Sequence, residues 1–246
     1  MITLEVCANS ITSALAAQKG GAARVELCAN LNQGGITPSY GEIVLARKLL
    51  KIPSYILIRP RPGDFLYSDE EYEVMKVDIN AVITAGCAGI VVGILDLYGQ
   101  VDKARCKPLI DLAKNAGLGV TFNRAFDMAN NQIQALEDII ELGCDRILTS
   151  GAKSTAIEGA GNIAHLVKIA DKRIKIMPSG GINEYNIASL VHFTGAKEFH
   201  TSARNTIDSK MFYHNDQILL DNSGEEYTID VTDAERVKTI LKLANS

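Results

Sequence analysis

No C-x-x-C pair, no G-x-G-x-x-G turn and no long apolar run occur in this chain, and each absence removes a class of function. The cysteines Cys7, Cys28, Cys87, Cys106 and Cys144 are odd in number and lack paired Cys/His spacing. A disulfide framework and a zinc cluster are therefore disfavoured, and reduced thiols are expected. The longest apolar stretch, Ile83 to Leu95, contains three glycines and falls short of the roughly 20 residues that span a bilayer, so no membrane partner is expected. No basic patch stands out at a net charge of −4 and a pI of 5.6, which argues against nucleic acid as a partner. The N-terminus shows no charged leader and no cleavage site. "MITLEV" already reads as a strand, so a cytoplasmic protein is expected.

What is present is regular. The 246 residues are 47% hydrophobic and 22% charged, enough for one domain with an ample core. Strand-like and helix-like segments alternate throughout. "ITLEVCA", "ARVELC", "SYILIRP", "GIVVGIL", "GVTFNRAF", "RILTSG", "IKIMPSGG" and "KEFHTS" are β-rich, and segments with helical spacing separate them. Pro38 and Ser39 suit a helix start. The last helix comes late, with Thr232 and Glu235 as a capping box. Before it lies a polar insertion, residues 205–231, in which "QILL" and "EYTI" around "DNSGE" predict a small hairpin. Eight β-then-α units predict an α/β fold, a (β/α)8 TIM barrel in a single domain. An open doubly wound sheet is the alternative, but no glycine-rich turn follows the first strand.

In such barrels the working groups sit at the C-terminal ends of the strands. Those ends supply Glu5 and Cys7, Glu26 and Cys28, Arg59 and Arg61, Asn123 and Arg124, Ser150, Gly180 and Gly181, and His200 and Ser202. Period-two alternation puts Glu5 with Cys7, and Glu26 with Cys28, on the inner face, leaving Leu4, Val6 and Leu27 to the helices. Neighbouring strands lie about 5 Å apart, so Cys7 and Cys28 can meet. Buried carboxylates need partners, and Arg59, Arg61 and Arg124 are the candidate counter-charges for Glu5 and Glu26. Arginine also clamps anions, and "SGG" offers backbone amides to one. "HTSAR" lacks a glycine to match it after the eighth strand. His200 and Ser202 share a face, as a nucleophile and base would, although a hydrogen-bonded pocket histidine is the simpler reading. The carboxylates and arginines read equally as a structural ion-pair network. Cys87, Cys106 and Cys144 read as core packing. Asp64 and Asp127 read as loop or capping residues as much as catalytic ones.

"LEVCANS", "GGAARVELCANLNQGGITPS", "IRPRPGDFLYSDEEYEVM", "GCAGIVVGIL", "VTFNRAFDM", "RILTSG" and "EFHTSAR" together give the chain its resemblance to the CutC copper homeostasis protein family. The resemblance implies a (β/α)8 barrel, a cytoplasmic homodimer and a copper-related role, with Cu(I) held by two thiols that correspond here to Cys7 and Cys28. Cu(I) favours thiolates and accepts as few as two of them, while buried cysteines also serve simply as small packing residues. The chain departs from the family pattern at Asn123, where T-F-H-R-A-F-D carries histidine. An amide cannot shuttle a proton as imidazole does. It departs again at "MPSGG", where the family more often has alanine and glycine before the paired glycines. Two functions are thus expected: Cu(I) binding at the barrel mouth, or an enzyme of unknown reaction acting on a small anionic metabolite, a carboxylate or phosphate. A third is a scaffold only indirectly linked to copper.

Overall fold

Each expected β-then-α unit forms. The structure, a computed structural model, describes residues 1–215, 217, 218 and 226–246. β1 (Thr3–Ala8) leads to α1 (Ile11–Lys19), β2 (Arg24–Leu27) to α2 (Tyr40–Leu49), β3 (Ser54–Leu57) to α3 (Asp69–Ala85) and β4 (Gly89–Val92) to α4 (Lys103–Asn115). β5 (Gly119–Phe122) leads to α5 (Gln132–Glu141), β6 (Arg146–Thr149) to α6 (Ala160–Ala170) and β7 (Lys175–Pro178) to α7 (Ile187–Thr194). β8 (Glu198–Thr201) returns to pair with β1, and β1 through β7 pair in chain order, all parallel. At the seam between β7 and β8, Lys175 meets Glu198 at 2.7 Å, and higher up Thr201 Oγ1 donates to the Ile182 carbonyl at 2.7 Å. The result is the (β/α)8 barrel.

Strand alternation sorts the side chains into two populations. Leu4, Val6, Leu27, Ile56, Ile90 and Phe122 are fully buried in the shared core beneath the helices, where each such side chain contributes about 1.5–3 kcal/mol. Cys87, Cys106 and Cys144 belong to that same core, as their packing reading expects. The opposite parity gives a separate interior cluster of Cys7, Cys28, Tyr55, Leu57 and Val91. The inward face predicted for the two "E-x-C" strand ends is the one observed.

Two helix starts carry the full reciprocal cap. Ser39 with Glu42 and Ser68 with Glu71 form complete capping boxes. The last helix, α8 (Ala234–Ala244), differs from expectation. Its cap is Asp233, whose carboxylate accepts from the Glu235 and Arg236 amides at 2.8 and 3.2 Å. A carboxylate there also meets the positive end of the helix dipole. Thr232 instead ends a strand, β10 (Thr228–Thr232), which pairs antiparallel with β9 (Arg204–Asp208). Ile229 of "EYTI" therefore faces Ile207. The turn expected around "DNSGE" falls on residues 219–225, outside the described residues. Among the described residues no helix is long and apolar enough to cross a membrane.

Candidate functional site

Tyr55 fills the floor of the barrel. It fits because two neighbouring strands carry glycine at its level. An added Cβ at Gly119 would lie 2.1 Å from Tyr55 Oη, and one at Gly89 would lie 2.3 Å from Cε1. The guanidinium groups of Arg24 and Arg146 stand 5.7 and 5.0 Å from the ring centroid, within cation–π range. Both arginines also reach Glu198, at 2.6 and 3.2 Å. Burial pushes the Glu198 carboxyl up, but Lys175, Arg24 and Arg146 hold it below its ordinary value.

Register builds the next layer. Glu5 stands level with Arg24 on β2 and with His200 on β8. Arg24 Nε donates to one Glu5 oxygen, and His200 Nδ1 lies 2.7 Å from the other. Burial opposes charge on Glu5, yet Arg24 and His200 together bring its carboxyl down to about 2. Glu5 is thus a carboxylate, and it fixes the imidazole so that Nε2 lies 3.4 Å from Glu26 Oε2. Burial works against the charged ring, while Glu5 and Glu26 raise the His200 pKa above its usual value. Glu26 is pushed up by burial and by the Glu5 charge, with His200 opposing.

The thiols form the rim. Cys7 is level with Glu26 across β1 and β2, and Cys7 Sγ lies 3.4 Å from Cys28 Sγ. That is contact between two free thiols, well beyond the roughly 2.05 Å of a disulfide. The hydrogen bond to Cys28, burial and the nearby Glu26 carboxyl push the Cys7 thiol well above its ordinary range. Ligand atoms of Cys7, Glu26 and His200 lie within 4.8 Å of one another. One sulfur, one imidazole nitrogen and one carboxylate oxygen therefore converge, with Cys28 Sγ beside the Cys7 sulfur and Leu31, Leu57 and Val91 packed around the two thiols.

Above them opens a cavity of about 300 Å³, lined among others by Cys7, Glu26, Cys28, Asn123, Ser179 and His200. The expected counter-charges lie elsewhere. Arg59 lines the cavity, but its two terminal nitrogens donate to the carbonyls of Gln33, Gly35 and Gly63 at 3.1, 2.7 and 2.6 Å, while Nε has no partner. It thereby ties the loop after β2 to the loop after β3. Arg61 points away, to Glu71 at 2.6 Å and Asp64 at 2.9 Å. Arg124 pairs with Asp127 at 2.7 Å and donates to Ser150 Oγ at 2.7 Å. Asp127 also accepts from the amides of Ser150 and Ala152, at 3.0 and 3.1 Å. Ser150 and Asp127 thus lock two loops together. Glu5 and Glu26 are served by Arg24 and His200 instead.

The other expected residues divide. Asn123, Gly180, Gly181, His200 and Ser202 all line the cavity. Glu5 lies beneath it, 1% exposed, and acts through His200. The His200–Ser202 nucleophile pair does not form, because the two ring nitrogens face Glu5 and Glu26. Sequence reasoning missed Arg24, Arg146, Glu198 and Tyr55. A signal of face was available for two of them: Arg24 and Glu198 each sit two positions before an inward residue, Glu26 and His200, and so share its face.

Comparison with known proteins adds identity to this geometry. The chain matches the model of the CutC family over residues 2–205. It is 48% identical over 240 residues to a CutC family protein of Xanthomonas campestris pv. campestris (strain B100), covering 98% of each chain. It is 44% identical over 245 residues to the copper homeostasis protein cutC homolog of Homo sapiens, covering 99% of this chain and 89% of that one. The solved structure of CutC from Streptococcus agalactiae is 35% identical with a TM-score of 0.78, covering 82% of this chain and 99% of its own.

Proposed function

The chain belongs to the CutC family, and we propose that it serves copper homeostasis by taking Cu(I) as cargo between the sulfurs of Cys7 and Cys28. One observation carries this reading: two buried thiols from adjacent strands meet at 3.4 Å in the barrel mouth. Cu(I) is a soft ion that prefers thiolate to carboxylate or water. The apolar neighbours Leu31, Leu57 and Val91 favour such an ion over hydrated, oxygen-seeking cations. His200, oriented by Glu5, and Glu26 stand close enough to adjust when the ion enters.

The thiol protons must leave as the metal arrives. Cys7 holds its proton tightly without metal, so Cu(I) uptake releases protons and strengthens as pH rises. The cytoplasm, which keeps thiols reduced, is the compartment that suits this chemistry. Competition against a chromophoric Cu(I) chelator tests the reading. The reduced protein takes copper from the chelator, and the Cys7→Ser/Cys28→Ser double variant loses that ability. Equal uptake by both proteins rules the thiol pair out.

A second reading, a barrel enzyme acting on a small anionic metabolite, is favoured by the Glu5–His200–Glu26 chain. A carboxylate that fixes one imidazole nitrogen while the other faces a second carboxylate lining the cavity places two titratable groups where general acid–base chemistry could use them. Two thiols alone do not require it.

A further inference from the structure

We propose that the β5–β7–β8 side of the mouth is a phosphate subsite, formed by Asn123, Ser179, the amides of Gly180, Gly181 and Ile182, and the Ser202–Arg204 turn. Its ligand class is a small phosphorylated metabolite. The inference stands apart from the thiol pair and gives the enzyme reading a ligand.

Two buried side chains carry it. Asn123 is 4% exposed, and its Oδ1 accepts from the Ala125 amide at 2.9 Å. An amide oxygen must face that N–H, so the orientation is fixed and Nδ2 is left as a donor. Asn123 Nδ2 has no partner. The chain holds it there deliberately: an added Cβ at Gly93 would come within 2.2 Å of Asn123 Oδ1. Ser179 is 1% exposed, and its Oγ also lacks a partner. A buried polar group is costly to leave without a partner. Both residues line one cavity and neither atom has an internal partner, so a ligand reaching them would supply the missing one.

The backbone beside them is arranged the same way. Gly180 and Gly181 take positive φ, +92° and +70°, which only glycine adopts at little cost. Their carbonyls are occupied: Gly180 accepts from the Ala156 amide at 2.9 Å, and Gly181 accepts from Asn186 Nδ2 at 2.8 Å. Among the described residues the amides of Gly180, Gly181 and Ile182 donate to nothing. These are free donors on the rim of the cavity, and successive free amides make an anion-binding concavity.

The loop after β8 completes the set. Its sequence lacks glycine, but Ala203 takes the left-handed conformation anyway, at φ +45°. A non-glycine residue adopts that conformation only at a cost. The Asp233 amide holds the Ala203 carbonyl at 3.0 Å. The turn brings Ser202 and Arg204 to the cavity lining. The group offered from this side consists of N–H and O–H donors; of the two guanidinium groups lining it, Arg204 is paired with Asp230 at 3.1 Å and Arg124 with Asp127 at 2.7 Å, and Asp127 is further engaged by the amides of the loop after β6. Donors from the ends of three strands suit a tetrahedral oxyanion better than a planar carboxylate. The loops after strands seven and eight are where barrels of this class commonly hold phosphate.

The test uses the reduced, metal-free, full-length protein labelled with ¹⁵N, titrated with inorganic phosphate and separately with acetate. Saturable shifts are expected at the Gly180, Gly181, Ile182 and Ser202 amides with phosphate, and weaker ones with acetate. Ser179→Ala weakens phosphate binding about tenfold without lowering the melting temperature, since no internal hydrogen bond is lost. Asn123→Asp weakens it further, because an oxygen replaces Nδ2 while the Ala125 amide keeps its acceptor. The Cys7→Ser/Cys28→Ser variant binds phosphate as the parent does, so failure of the copper reading and failure of this one are separate results. No saturable shift, shifts confined to other residues, unchanged binding in Ser179→Ala, or acetate binding as tightly as phosphate would each overturn the proposal.

Discussion

His200 Nδ1 lies 2.7 Å from a Glu5 oxygen whose partner oxygen is held by Arg24. One carboxylate on β1 therefore orients a ring on β8 and neutralises a guanidinium on β2. Both neighbours are buried with that acid, and each has one further buried acid beside it, Glu198 for Arg24 and Glu26 for His200.

Glu5→Gln leaves Arg24 and His200 without their shared charge. Breaking a buried pair of this kind costs about 3–5 kcal/mol, read as a lower urea midpoint at unchanged slope. The sign with pH follows from the lowered carboxyl pKa. The Glu5 contribution is present in full above its ordinary 4.5 and is lost as pH falls toward about 2. His200 acts in the opposite sense, because its pKa is raised. Its contribution is full below 6.5 and fades as pH rises through the higher folded value. Urea titrations across pH should show the acid limb flattened in Glu5→Gln.

Arg24 and Arg61 should behave very differently. Arg61 makes two ion pairs with partly exposed partners, and such pairs contribute about 0.2–1 kcal/mol. Arg24 bridges Glu5 and Glu198 inside the barrel. Arg61→Ala should shift the urea midpoint slightly and leave Cu(I) uptake unchanged. Arg24→Ala should be severely destabilising, by about 3–5 kcal/mol. Comparable losses in the two variants would contradict the assignment of counter-charges.

Gly119→Ala places a methyl group where Tyr55 Oη already sits, 2.1 Å away. Overpacking of this kind costs about 1–3 kcal/mol. Tyr55→Phe removes the colliding oxygen, so the double variant should recover part of the loss. A double-mutant cycle by thermal or urea unfolding measures the coupling, and strict additivity would show that the floor is looser than its geometry.

The barrel itself was legible from eight alternations of strand and helix, and the inward face of Glu5, Cys7, Glu26 and Cys28 from period two alone. The counter-charges were not. Arg59, Arg61 and Arg124 follow strand ends in the sequence, so they read as pocket residues, yet local carbonyls and acids capture all three. Arg24 was hidden because it opens its strand, at the end where function is not sought. Across-strand register, which sets Glu5 beside both Arg24 and His200, has no signature in one chain. Ala203 is a similar case, since nothing in "HTSAR" announces a left-handed turn. The late helix start failed for a smaller reason: Thr232 and Asp233 are both good caps, and strand pairing claimed the first.

The most direct measurement is copper K-edge X-ray absorption on the reduced protein loaded with one equivalent of Cu(I). Two sulfur scatterers in the inner coordination sphere are expected, with that signal lost in the Cys7→Ser/Cys28→Ser variant. An inner sphere of nitrogen and oxygen alone, or a spectrum the double substitution leaves unchanged, would contradict copper binding between Cys7 and Cys28.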